Sequence, residues 1–353
     1  MAVHLVTGGE GFIGSALVDL LIEEGHEVRV VDALDPSAHD GPSAWRNAEA
    51  TYLTADLADV DVWRHLLRGV DAVSHQAARV GLGVDFGDVR RYVHDNDAGT
   101  AALLWALHDT GFSGRLVVAS SMVVYGEGRY RCDAHGVVRP GPRTPEALEA
   151  GRFEPPCPRC GADLIAEEVP EDAPVDPRNV YATTKLASEH LALCWGREHG
   201  RPVAALRYHN VYGPRMPNDT PYAGVAAIFR SRLAAGLAPL VFEDGGQRRN
   251  FIHVADVARA NHQAMVAAVD AHGPFNIASG EVHTIGEMAT ALAAATAGGP
   301  HPTVTGGFRL GDVRHVFASP ERARTALAFT ARVGFAEGMA AFATDPLRTT
   351  PPA

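Results

Sequence analysis

The chain has 353 residues, enough for one large domain or two interlocked ones around a well-buried core. A hydrophobic fraction of 46% and a charged fraction of 21% are ordinary for a soluble globular chain. The net charge of −11 argues against a nucleic-acid partner, which needs clustered Lys and Arg, yet leaves room for a phosphorylated small molecule held by a few local arginines.

The chain opens on Val3-His4-Leu5-Val6-Thr7, too short for the apolar core of a signal peptide, and reads as a first strand over His4–Thr7. An amphipathic helix is predicted over Phe12–Glu24 and a second strand over Glu27–Asp32. Short apolar runs at Asp71–Gln76 and Arg115–Ser120 are strands, with helical periodicity across Thr100–His108 between them. This alternation predicts a doubly wound α/β fold, a parallel sheet with helices on both faces. From Glu127 to Pro174 the pattern breaks into a Pro-, Gly- and charge-rich insertion. A helix resumes at Tyr181–His199, followed by a strand over Pro202–Arg207. The remainder, with a short helix at Ala223–Ala235, reads as a smaller α/β substrate lobe, and the tail Thr349–Ala353 as frayed. The expected division is 1–207 for the first domain, with 127–174 inserted in it, and 208–345 for the lobe. No run of about 18 apolar residues predicts a membrane helix. Four cysteines are too few for a disulfide scaffold, so a cytoplasmic location is the default expectation.

Gly8, Gly11 and Gly14 lie between the first strand and the first helix, the arrangement of a dinucleotide-binding turn. Gly8 permits the tight turn, Gly11 lets the backbone approach a pyrophosphate, and Gly14 lets helix and sheet pack closely. The helix start at Phe12 and Ile13 then faces the phosphates. Asp32 closes the second strand, where an acidic side chain binds adenosine ribose hydroxyls. No Arg or Lys occurs from Ala33 to Ser43 to meet a 2′-phosphate, which favours NAD over NADP. Asp56-Leu57 fits an adenine-edge contact, and equally a solvated turn.

Tyr181 and Lys185 stand four apart on one helix face. A phenol with a pKa near ~10 is a poor base at neutral pH unless a cation favours the phenolate, and Lys185 is such a cation. Ser120-Ser121 closes the apolar strand at its carboxyl end, where open α/β sheets place ligands.

With these motifs in this order, the chain resembles the extended short-chain dehydrogenases that act on sugar nucleotides. The likeness continues through Asn96-Asp97-Ala98-Gly99-Thr100, Arg207–Arg215, Arg249–Val257 and Gly311–His315. It implies Ser121 as the catalytic hydroxyl, Tyr181 as general base, and Lys185 as its modulator and ribose ligand. It implies Gln76, Ala77, Ala78, Asn96 and Ser120 beside NAD, Met122 beside the sugar, and Asn210, Arg249 and Arg314 on the nucleotide diphosphate. A homodimer is typical of such relatives. Dehydratases of this kind carry Asp-Glu directly after the catalytic hydroxyl residue; here those positions are Met122 and Val123, which move no proton. Decarboxylases usually keep a Glu there. A 4-epimerase needs neither, because one phenol can take the C4 hydroxyl proton and return it. The alternatives on these motifs are a 4-ketoreductase, which would consume reduced cofactor, and a non-enzymatic NAD sensor, which would not need Ser121, Tyr181 and Lys185 together.

Within the insertion, Cys132-x-x-His135 and Cys157-Pro-Arg-Cys160-Gly form two ligand pairs. Three sulfurs and one imidazole fit a closed tetrahedral structural zinc site. Cys194, mid-helix, reads as a core residue. The insertion resembles the zinc knuckle found between the same two motifs in a bacterial subgroup of dTDP-L-rhamnose 4-epimerase-like enzymes.

Overall fold

The computed structural model describes residues 1–81, 86–218, 224–267 and 271–348. Ala223 and Thr349–Ala353, which carry two of the expectations above, lie outside the described residues. Strands β1 (Val3–Thr7), β2 (Glu27–Asp32), β3 (Thr51–Thr54), β4 (Ala72–His75) and β5 (Arg115–Ser121) form with α1 (Phe12–Glu23), the single turns α2 (Trp63–Leu66) and α3 (Val89–Tyr92), and α4 (Gly99–Asp109). A π-helical stretch, Val93–Ala98, runs into α4. The insertion follows as β6 (Arg129–Cys132), β7 (Gly136–Val138), α5 (Pro145–Glu149) and β8 (Ile165–Glu167). Then come α6 (Val180–His199), β9 (Val203–Tyr208), β10 (Asn210–Tyr212), α7 (Val225–Ala234), β11 (Leu240–Val241), β12 (Arg248–Arg249), β13 (Phe251–His253), α8 (Val254–Val266) and β14 (Gly273–Ile277).

The main sheet has seven parallel strands in the order β14-β9-β5-β4-β1-β2-β3. Successive residues of its strands point to opposite faces. Val6, Val30 and Val117 join Leu17, Leu21 and Ala260 in one core. Leu5, Val31, Leu116 and Val118 join Leu103, Leu107 and Trp195 in the other. Because both faces are covered, the strands read as continuous apolar runs rather than as alternating ones. The chain returns to this sheet late: β14 pairs with β9, and α8 packs on α1. A third core, built on Phe229, Val241, Phe251, Leu292 and Phe342, lies under the remaining segments. Among the described residues no helix is long and apolar enough to cross a membrane.

Two details depart from expectation. The insertion is a three-stranded antiparallel sheet, β7-β6-β8, rather than loop alone. Its strands are too short to show a sequence period. Cys194 is exposed, not core. Helix α6 buries Leu193 and Trp195, and the 100° step between them leaves Cys194 turned to solvent, 3.6 Å from Glu198 Oε1.

Candidate functional site

A cavity of about 1110 Å³ opens at the carboxyl ends of the parallel strands, across the point where the strand order reverses beside β1. At one end, β1 turns into α1 through Gly8, which adopts φ +67°. A Cβ on Gly8 would sit 2.7 Å from the Ala77 backbone, and one on Gly14 only 2.1 Å from Gly8 O. This turn therefore tolerates no side chain at either position. Gly11 caps α1 without a side chain, which leaves the first-turn N–H groups of Phe12 and Ile13 open to an anion. Asp32 lines the same end; its carboxylate accepts from Glu10 N and Leu34 N, both at 3.0 Å. Asp56, Leu57, Gln76, Ala77 and Ala78 line the cavity beyond it. A backbone-walled anion site next to a buried carboxylate fits a pyrophosphate joined to an adenosine ribose.

At the centre stand Ser121, Tyr181 and Lys185. Asn179 caps α6 by accepting from Ala182 N at 2.8 Å, and so fixes Tyr181 in the first turn. Burial pushes the Tyr181 phenol up to about 12, with a hydrogen bond to Ser121 opposing it. Burial pulls the Lys185 ammonium down to about 8, and Glu189 opposes that shift. Met122 and Val123 line the cavity next to Ser121. Ser120 also lines it, but its hydroxyl donates to Glu189 Oε2 at 2.5 Å.

Beneath this centre lies a buried ion pair. Arg207 grips Glu189 with Nη2 at 2.6 Å and Nε at 3.1 Å, and donates to Tyr125 Oη at 2.8 Å. Glu189→Gln leaves a buried guanidinium without its counter-charge, at a cost of about 3 kcal/mol. Equilibrium urea unfolding will measure it, and a loss below about 1 kcal/mol would refute the pairing as a structural anchor.

The other end is lined by Asn210, Arg249, Arg232, Arg309 and Asp312, with Ile228, Phe229 and Phe242. Arg249 donates to the carbonyls of Arg314, Val313 and Arg248 at 2.7–2.9 Å. Arg314, expected on a diphosphate, does not line the cavity. Its guanidinium is captured by Glu154, Glu243 and Asp244, at 2.7–3.0 Å, behind the wall. Asn96, expected at the cofactor, is likewise behind the lining. Its side chain accepts from Arg79 N at 2.7 Å and donates to Arg79 O and Thr184 Oγ1, joining the loop after β4 to α6. Sequence reasoning passed over Arg232, Arg309 and Arg348, which lie in no motif. Arg348 shares the cavity with Asp32, so a cation reaches the adenosine end after all, from far beyond Ala33–Ser43.

In the insertion, one ligand atom from each of Cys132, His135, Cys157 and Cys160 falls within 4.8 Å of the others. Cys132 Sγ lies 3.5 Å from His135 Nδ1 and 3.7 Å from Cys160 Sγ; Cys157 Sγ lies 3.6 Å from His135 Nδ1. These sulfurs are too far apart for a disulfide, whose S–S length is about 2.05 Å. They match the edges, roughly 3.5–3.8 Å, of a tetrahedron with metal–ligand bonds of about 2.0–2.3 Å. Burial pushes the Cys157 thiol up, but the N–H groups of Arg159 and Cys160 outweigh it and hold it down at about 6.

Residues 4–147 and 157–278 match the family described as NAD dependent epimerase/dehydratase. The chain is 35% identical over 319 residues to the dTDP-L-rhamnose 4-epimerase of Burkholderia thailandensis, across 88% of this chain and 85% of the relative. The UDP-glucose 4-epimerase of Thermus thermophilus, solved as a complex with NAD, superposes with a TM-score of 0.76 at 31% identity, over 97% of both chains. That of Thermotoga maritima, solved with UDP-glucose, gives 0.77 at 29%, again over 97% of both. With the glycine turn, the Ser121–Tyr181–Lys185 group and these likenesses together, the chain belongs to the NAD dependent epimerase/dehydratase family.

Proposed function

We propose that the chain is an NAD-dependent 4-epimerase of a nucleotide-activated sugar, of the dTDP-hexose or dTDP-L-rhamnose type. The observation that carries this reading is the isolation of Tyr181 and Ser121. Their neighbours Met122 and Val123 offer no acid or base, so only chemistry needing a single proton carrier is served. The bound NAD supplies a reversible acceptor for the C4 hydride. Tyr181 takes the proton of the C4 hydroxyl as that carbon is oxidised to a ketone. Ser121 hydrogen-bonds the same oxygen, and Lys185 favours the phenolate and holds the nicotinamide ribose. The 4-keto sugar turns over against the apolar Met122–Val123 wall. Tyr181 then returns its proton as the opposite face is reduced, so atoms and cofactor are both restored. Arg249, Arg309, Arg232 and Asn210 hold the diphosphate, forked donors suiting that group.

Cys132, His135, Cys157 and Cys160 hold a structural zinc, their spacing and donor chemistry supporting it. With all four positions taken by the protein, the metal has no open site for chemistry. A homodimer through α4 and α6 fits Trp105 and Leu191, exposed large apolar side chains on those helices. Four unpaired cysteines fit a reducing, cytoplasmic setting.

The test is incubation of the purified protein, without added cofactor, with dTDP-, UDP- and GDP-sugars. A product of unchanged mass and inverted C4 is expected. Loss of one water, or dependence on added NADPH, would replace the epimerase reading by a dehydratase or a ketoreductase.

A further inference from the structure

Arg348 stands over 300 residues from the glycine turn in sequence, yet its side chain lines the same cavity as Asp32. The residue is 6% exposed. Two of its guanidinium nitrogens, Nε and Nη2, are buried without any hydrogen-bond partner. The third, Nη1, lies 3.4 Å from His39 Nδ1, and His39 Nε2 is 3.9 Å from Asp32 Oδ1. The backbone holds the residue in place. Arg348 N donates to Met216 O at 2.9 Å, Asn218 N donates to Arg348 O at 2.8 Å, and Arg215 N donates to Pro346 O at 2.7 Å. A buried guanidinium with two idle N–H directions is costly, and a fixed one does not relieve the cost by moving away. Its acceptor must be supplied by whatever fills the cavity.

On the NAD reading above, we propose that Arg348 is a second ligand of the adenosine ribose, donating to hydroxyl oxygens whose protons go to Asp32. The chemistry of the pocket selects a diol over a phosphate. Each Asp32 oxygen accepts one backbone N–H and keeps a lone-pair direction for a hydroxyl donor. Glu10, 1% exposed, adds a second carboxylate and is tied to Arg46 and Ser43 N. A 2′-phosphate dianion would accept from Arg348 but face Asp32 with nothing to donate. A hydroxyl serves both partners, because it donates to the carboxylate and accepts from the guanidinium. The same contact ties cofactor retention to the segment around Met216 and Pro217, which lines the cavity farther along. Arg348 thus acts as a clasp laid over the adenosine end.

The holoprotein is diluted into excess isotopically labelled NAD⁺, and the release rate of the resident cofactor is compared between wild type, R348M and R348K. R348M should release at least about tenfold faster, the worth of one hydrogen bond to a charged group, with R348K between the two. Wild type should also take up NAD⁺ in preference to 2′-deoxy- and 3′-deoxy-NAD⁺, and R348M should lose part of that discrimination, which a merely structural arginine would not alter. If R348M does not fold, R348K carries the same comparisons. Release within about twofold of wild type in a folded variant, or a wild type that prefers NADP⁺, overturns the proposal while leaving the NAD reading standing in the first case. A wild type that carries no dinucleotide and takes up none overturns both.

Discussion

Replacing Tyr181 by Phe should lower turnover about 10²- to 10⁴-fold while leaving bound NAD in place, as expected for loss of a general acid–base that makes no other essential contact. The phenol is the one proton carrier that lines the cavity beside Ser121 with a fixed backbone, set by the Asn179 cap. In the ligand-free protein its pKa is pushed up to about 12 by burial, so at neutral pH it stands protonated. The phenolate becomes accessible only through nearby positive charge, which Lys185 provides from one helical turn away. Lys185→Met should therefore behave differently. It should cut turnover and also loosen the cofactor, because the same ammonium serves both tasks. Turnover is read by the NMR signals of the two C4 epimers, and NAD content by absorbance after denaturation. A Tyr181→Phe protein within tenfold of wild type would end the one-phenol mechanism. Equal loss of NAD in both variants would show Tyr181 to be a cofactor ligand first.

The parallel sheet is legible in the sequence because its strands are buried on both faces, so Leu5-Val6, Val30-Val31 and Leu116-Val117-Val118 appear as unbroken apolar runs. The glycine turn is legible for a steric reason: no other residue fits at Gly8 or Gly14. Tyr181 and Lys185 are found by helical spacing alone. The far wall of the cavity is another matter. Arg249 and Arg314 look alike in sequence, and only the fold decides that one borders the cavity while three carboxylates claim the other. Two of those carboxylates, Glu243 and Asp244, are about seventy residues away, and Glu154 lies within the insertion. Arg348 is the extreme case, since nothing near it in sequence points to the adenosine end. Contacts made by period or by sterics are readable locally, whereas contacts made by a loop arriving from elsewhere are not.

Purified protein should carry one zinc per chain, and stripping it should unfold the insertion and weaken substrate binding while sparing the cofactor. The insertion has little else to hold it. Its strands span four, three and three residues, and its own apolar cluster is Cys132, Val138 and Cys157 with Leu164 packed against them. Sheets this small are marginal alone, whereas a structural zinc site contributes on the order of 10 kcal/mol. The consequence reaches the cavity through named contacts. Glu127 accepts from Arg314 N at 3.0 Å, Tyr130 Oη accepts from His315 N at 3.2 Å, and Arg143 donates to Asp312 O at 2.7 Å. Glu154 holds both the Arg314 guanidinium and the His315 ring. These bonds fix the backbone of 312–315, whose Val313 and Arg314 carbonyls in turn orient Arg249. Losing the metal should thus raise KM for the nucleotide sugar more than it lowers kcat, because Ser121, Tyr181, Lys185 and the glycine turn sit on the main sheet and its helices. Cys157→Ala should reproduce the effect of a chelator. Hydrogen exchange should speed up over 127–174 and 312–318 together and stay unchanged around Gly8–Gly14. Metal-free protein from a chelator-free purification would refute the zinc site. Exchange confined to 127–174, with KM unmoved, would keep the zinc but cut its connection to the substrate.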